Sequence, residues 1–125
     1  MIVLDTSVWI EFFRGSEPYF SAVSELAETR QILGLECVFA ELMQGARTQR
    51  ERTFIRSIWE SLPQADSAGG LIDAGEEAGI HRWPEKGVGI IDAYILFSAR
   101  RVGARIWSLD KKLNSLLNPA EFFSI

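Results

Sequence analysis

The chain has 125 residues, 47% of them apolar and 24% charged, and its 13 basic and 17 acidic side chains leave a formal charge of −4. That length holds one domain with a sizeable core and is too short for two. The acidic balance excludes a protein that grips nucleic acid by bulk electrostatics, so any such contact has to be local.

The first element is a strand. Ile2-Val3-Leu4 is a short continuous apolar run ending in Asp5, the pattern of a strand buried on both faces. In an open α/β sheet ligands bind at the carboxyl ends of the strands, which is where Asp5 falls. Thr6 or Ser7 then caps a helix from Ser7 to Arg14, with Trp9, Phe12 and Phe13 on one face, and Gly15 ends it. Ser16-Glu17-Pro18 opens a second helix, with a stripe of Tyr19 or Phe20, Val23, Leu26 and Ala27. Ile32 to Leu35 is a strand, Glu36 to Gln44 a helix, and Gln49 to Ser61 another helix. Pro63 to Ala65 is a weak strand. A helix over 67–83 is weakened by Gly69, Gly70, Gly75 and Gly79, at about 1 kcal/mol each relative to Ala. Pro84 to Gly87 is a turn, and Ile90 to Val102 is the strongest helix, stopped by Gly103. Arg105 to Leu109 is a strand, Lys111 to Leu117 a helix and Ala120 to Ser124 a last short strand. Strands alternating with helices give a parallel sheet of about five strands with helices on both faces and right-handed crossovers.

Four carboxylates stand where surface acids do not. Asp92 is followed by Ile95, Leu96 and Ala99, so it lies on the apolar stripe of its helix. Glu41 does the same relative to Cys37, Val38 and Gly45. Asp110 ends the strand Ile106-Trp107-Ser108-Leu109 as Asp5 ends the first. All four can converge at one edge of the sheet. Acids are almost never buried unpaired, clustered ones repel one another, and no basic partner is evident for each. A divalent cation resolves this, and an all-oxygen ligand set suits Mg²⁺ or Mn²⁺ rather than zinc. Such ions activate water and stabilise charge in phosphodiester hydrolysis. Three of the four also have a structural reading: Asp5 and Asp110 as helix caps, Glu41 as a surface residue if the helix phase is off by one.

The order "VLDTSVWIE", "FAELMQGA", "IIDAYILFSAR", "IWSLDKKL" resembles the PIN-domain ribonucleases, and most of all the toxin subunits of VapBC-type toxin–antitoxin pairs. The resemblance covers essentially the whole chain. It implies a three-layer α/β/α domain over residues 1–125 and a Mg²⁺- or Mn²⁺-dependent endoribonuclease. The acidic set it implies is Asp5, Glu41, Asp92 and Asp110, holding metal directly or through water, with Thr6, Ser7 and Ser108 in support. It further implies an RNA substrate, a cognate VapB-type antitoxin and a homodimer. Many such proteins carry a further acid after the last motif, where this chain has Lys112-Leu113-Asn114; that puts a second metal in doubt more than the first.

The remaining signals are plainer. His81 is the sole histidine and Cys37 the sole cysteine. No Ser-His-Asp or zinc cluster is available, no intramolecular disulfide can form, and a reducing cytoplasm is the expected setting. Nothing approaches the roughly 20 apolar residues of a membrane span, and no basic region precedes an apolar stretch to make a secretory signal. Arg47, Arg50, Arg52 and Arg56 form one basic run, and Arg100, Arg101 and Arg105 another. Both read as solvated faces, with Arg47, Arg50 and Arg101 as candidate RNA contacts. Trp9, Phe12, Phe13, Tyr19 and Phe20 exceed what a small core needs and suit a groove for a partner helix. Two rival readings are a non-catalytic binding module of the same fold and an α/β domain that accepts phosphate on Asp5.

Overall fold

Ile2, Val3 and Leu4 form β1, and none is more than 1% exposed. Successive strand residues point to opposite faces, so both faces of β1 are covered. The computed structural model describes all residues, Met1–Ile125, and places β1 at the centre of a parallel sheet. β2 (Ile32–Leu33) lies on one side of it and β3 (Arg105–Trp107) on the other. The sheet has three strands where about five are expected. The segments around Gln64 and Phe122 add a single parallel bridge each, to Gly34 and Ile106. Pro63 brings no N–H to a longer ladder, and Pro119–Glu121 winds into a 3-10 turn closed by Asn118. Gly34 is set by packing: a Cβ there would lie 3.1 Å from Trp59 Cζ3.

Seven helices surround the sheet: α1 (Thr6–Phe13), α2 (Tyr19–Glu28), α3 (Glu36–Gly45), α4 (Gln49–Ser61), α5 (Gly70–Ile80), α6 (Ile90–Val102) and α7 (Lys111–Asn114). α6 packs on β1 and β3 with α5 against it, while α1 packs on α2 and α3, and α3 on α4. Neither Thr6 nor Ser7 caps α1. Asp5 takes that position, and its side chain makes no capping bond because it is engaged elsewhere. α5 is shorter than the expected 67–83 helix. Gly69 enters it at φ +73°, Arg82 turns at φ +56° beyond it, and Trp83–Lys86 forms a 3-10 turn. α7 is one turn rather than a helix to Leu117. The largest buried side chains are Trp9 and Trp107, both 2% exposed.

This topology fixes the location of any site. From β1 the chain crosses to β2 on one side, and β3 later fills the other. The crevice beyond the carboxyl ends of β1 and β3 is therefore the point where the direction of winding reverses, the usual ligand position in open α/β sheets.

Candidate functional site

Asp5 leaves β1 and Ser108 leaves β3 at that crevice, 6% and 4% exposed. The Asp5 N–H donates to Trp107 O at 3.0 Å, drawing the strand ends together. Asp5 Oδ2 accepts from Ser7 Oγ at 3.0 Å and from Ser108 Oγ. Ser7 Oγ accepts from Leu109 N at 3.1 Å, and Ser108 Oγ from Asp110 N at 2.9 Å. Two hydroxyls thus join the turn after β1 to the turn after β3 and fix one oxygen of a buried carboxylate. Asn114 Nδ2 donates to Ser108 O at 2.8 Å and holds the second turn from behind.

The other three acids surround this frame. Asp110 is the N-cap of α7, with Oδ1 accepting from Lys112 N at 2.8 Å and Leu113 N at 3.3 Å. The capping reading of Asp110 therefore holds, and it leaves Oδ2 outside the cap. Glu41, exposed on α3, accepts from Thr6 Oγ1 at 2.8 Å and so ties α3 to the start of α1. Asp92 lies half-buried in the first turn of α6. Its carboxyl is pushed up from its ordinary 3.8 to about 6, first by burial and then by the charges of Asp5, Asp110 and Glu41. No hydrogen bond and no cation pulls it back down. The four acids thus share one field without a protein counter-charge. The three ion pairs of the chain, Arg14–Glu11, His81–Glu77 and Arg100–Glu121, involve none of them.

The donor set is carboxylate and hydroxyl oxygen throughout, which fits a hard divalent cation. No three acidic, His or Cys side chains form a ready-made ligand cage. Lys112 lies over the turn before α6: a Cβ on Gly87, at φ +78°, would sit 2.9 Å from its Cδ. It does not act on Asp92.

The expected basic contacts divide. Arg47 lines a groove of about 580 Å³ that begins at Thr6 and Glu41 and runs between α1, α3 and α4. Arg50 is exposed on α4. Arg101 lies near the far end of α6, about 14 Å from Asp92 along the helix axis, and its Nη2 donates to Ala65 O at 3.0 Å. The structure does not bring it to the acids. The groove also exposes Phe13, Phe54 and Ile10. Phe12 stacks on Phe20 and meets Trp9 edge-on, while Tyr19 stacks on Trp107.

One brace was not anticipated from the sequence. Asp66 Oδ1 accepts from Tyr94 Oη at 2.6 Å, and Asp66 Oδ2 accepts from Glu36 N at 3.0 Å. It caps α3, which carries Glu41, and anchors it to α6, which carries Asp92. Burial first, and then the bond to Asp66, push the Tyr94 hydroxyl up to about 12. Asp66 follows the short Pro63–Ala65 segment as Asp5 follows β1, so an acid at a strand end was its available signal. The Cys37 thiol is pushed up to about 12, chiefly by burial and then by the charges of Asp66 and Glu41.

Together these features define an open, doubly wound α/β domain with an all-carboxylate crevice at the winding reversal. The model of the PIN domain matches residues 2–116, and the chain belongs to that family. Its fold is shared by a toxin–antitoxin complex from Klebsiella pneumoniae, at TM-score 0.73 and 18% identity over 96% of this chain and 94% of that one. It is also shared by VapBC2 from Rickettsia felis bound to a DNA fragment from their promoter, at TM-score 0.69 and 21% identity over 98% and 96%. No curated protein matches the sequence.

Proposed function

We propose that this chain is a Mg²⁺- or Mn²⁺-dependent endoribonuclease, the toxin of a VapBC-type toxin–antitoxin pair. The observation that carries the proposal is the uncompensated four-acid field, seen in the raised Asp92 carboxyl. Asp5, Glu41, Asp92 and Asp110 would hold the ion, directly or through water. When bound, the ion supplies an activated water and charge stabilisation on phosphate oxygens. The protein's own share is positioning. Ser7 and Ser108 hold Asp5 Oδ2 and so constrain the carboxylate as a whole. Thr6 holds Glu41 toward the crevice. The α6 N-terminus offers its positive end to anions there, the substrate phosphate included.

The groove beside the acids suits the partner. Phe13, Phe54, Ile10, Leu42 and Ile55 give it an apolar floor, with Arg14, Arg47 and Glu51 at its edge. An amphipathic helix from a VapB-type antitoxin would bury those rings and cover Glu41 and Thr6. Both structural neighbours come from toxin–antitoxin assemblies, which supports this reading. A homodimer would cover Leu71, Ile72 and Ile80, the exposed apolar residues of α5. No helix is long and apolar enough to cross a membrane, and an RNA substrate sets the site of action in the cytoplasm.

The test is cleavage of pooled cellular RNA with Mg²⁺, Mn²⁺ or EDTA, comparing wild type with Asp92→Asn. Discrete metal-dependent products, absent in the variant, are expected. Cleavage that persists undiminished in the variant would overturn the assignment. Labelling of Asp5 by a phosphodonor, scored as a hydroxylamine-sensitive aspartyl phosphate, would favour the phosphoacceptor reading instead.

A further inference from the structure

The acids and the apolar groove occupy one side of the α3–α4 hairpin. The other side carries a second groove of about 410 Å³ that the reading above leaves unused. Met43 of α3 is its one apolar lining residue; the rest are polar side chains of α4. Arg52 and Arg56 stand four residues apart on its wall, and Thr53 and Ser57 form the adjacent row at the same spacing. Glu60 is the lone acid. Neither arginine makes an ion pair, since the chain's three pairs lie elsewhere. Arg52 makes only a long contact, Nε to Gln49 Oε1 at 3.5 Å. From Arg47 to Arg56 the sequence carries four arginines and one acid, Glu51, within a chain of net charge −4. This is a local concentration of free cations against the sign of the whole molecule.

The composition selects the ligand. A groove with one apolar residue cannot seat an amphipathic helix. Guanidinium and hydroxyl donors at helical spacing match the repeating oxygens of a sugar–phosphate backbone. Glu41 lines the apolar groove beside the acids, whereas Met43, two residues on and so roughly 200° around the helix, lines this second groove. A strand held at the acids therefore has to cross the hairpin, about one helix diameter or ~10 Å, before reaching Arg52 and Arg56. We propose that this second groove is a docking track for the flanking part of a single-stranded RNA, contacting its phosphates without reading its bases. The proposal rests on the nuclease reading and adds to it a dependence on substrate length.

The test uses the full chain and its Arg52→Gln/Arg56→Gln double variant, first matched in thermal unfolding. Binding of a long and a short single-stranded RNA is followed in EDTA across a salt series, and cleavage in Mg²⁺ is measured separately. Each phosphate contact to a single strand contributes about 0.7 to the slope of log K against log salt, so losing two should lower it by about 1.4. For the long RNA, affinity should fall several-fold and KM rise with kcat unchanged. The short RNA, which cannot reach the track, serves as the internal reference. Equal slopes and affinities for variant and wild type would overturn the proposal, as would an equal loss for the long and the short RNA. If wild type cuts no RNA but the slope difference persists, the track stands and the nuclease reading falls.

Discussion

Replacing Asp92 by Asn should stabilise the metal-free protein while it destroys the site. At neutral pH the folded chain holds a half-buried carboxylate against the charges of Asp5, Asp110 and Glu41. A rise from 3.8 to about 6 corresponds to about 3 kcal/mol at full weight. Solvent contact screens roughly half of that, leaving about 1.5 kcal/mol. Asn forfeits the attraction of an acid to the first turn of α6, about 0.5 kcal/mol. The net gain is about 1 kcal/mol, or roughly 4 °C in Tm for a chain of this size. The sign with pH follows from linkage. Between about 3.8 and 6 the folded wild type binds more protons than the unfolded chain. The stability tied to Asp92 is thus fully present below that window and lost as pH rises through it. Thermal unfolding by circular dichroism in EDTA at pH 7.5 and pH 4 measures both effects. The variant should melt higher at pH 7.5 and match wild type at pH 4. Added Mg²⁺ should raise the wild-type Tm and leave the variant unmoved. A variant that melts lower in EDTA at pH 7.5, or by the same margin at both pH values, would refute the electrostatic account of the site.

Three further outcomes are expected. Ser108→Ala removes a donor to Asp5 and the acceptor for Asp110 N, so it should cost about 2 kcal/mol in urea unfolding and weaken Mg²⁺ binding by calorimetry. Tyr94→Phe leaves Asp66 with only the Glu36 N–H; a loss of about 1 kcal/mol with Mg²⁺ affinity retained would mark the pair as a brace. Phe54→Asp, at a ring that is 51% exposed, should leave the unfolding free energy within about 0.5 kcal/mol of wild type yet abolish co-purification with the cognate antitoxin.

What the sequence disclosed and what it withheld divide along physical lines. β1 and α6 were readable because an uninterrupted apolar run and a full apolar stripe leave few alternatives, and with them came Asp5 and Asp92. Asp110 was visible as an acid just past a strand, and its place as the N-cap of α7 follows from the same position. Asp66 carries that signal too, one residue past the weak Pro63–Ala65 strand, but that strand is a single bridge beside Pro63 and the acid was not read as part of the site. The sheet was overcounted for the same reason: one-rung extensions depend on where neighbours fall, as Gly34 depends on Trp59. Arg101 shows the limit of reading charge from sequence. Its place in a basic run suggested RNA, whereas its guanidinium reaches the carbonyl of Ala65, 36 positions back along the chain.

The bond from Ser108 to Asp5 spans 103 positions, and that separation orders events in time. A chain emerging from the ribosome displays Asp5 and Glu41 early, but Asp92, Ser108 and Asp110 come late. Nothing can pin the Asp5 oxygen until β3 has slotted in beside β1. On the nuclease reading proposed above, this delay is a safeguard: the nascent chain cannot complete its site while still attached to the machinery it would attack. Truncation before β3 should likewise leave the Asp5 oxygen unpinned and yield an inactive product.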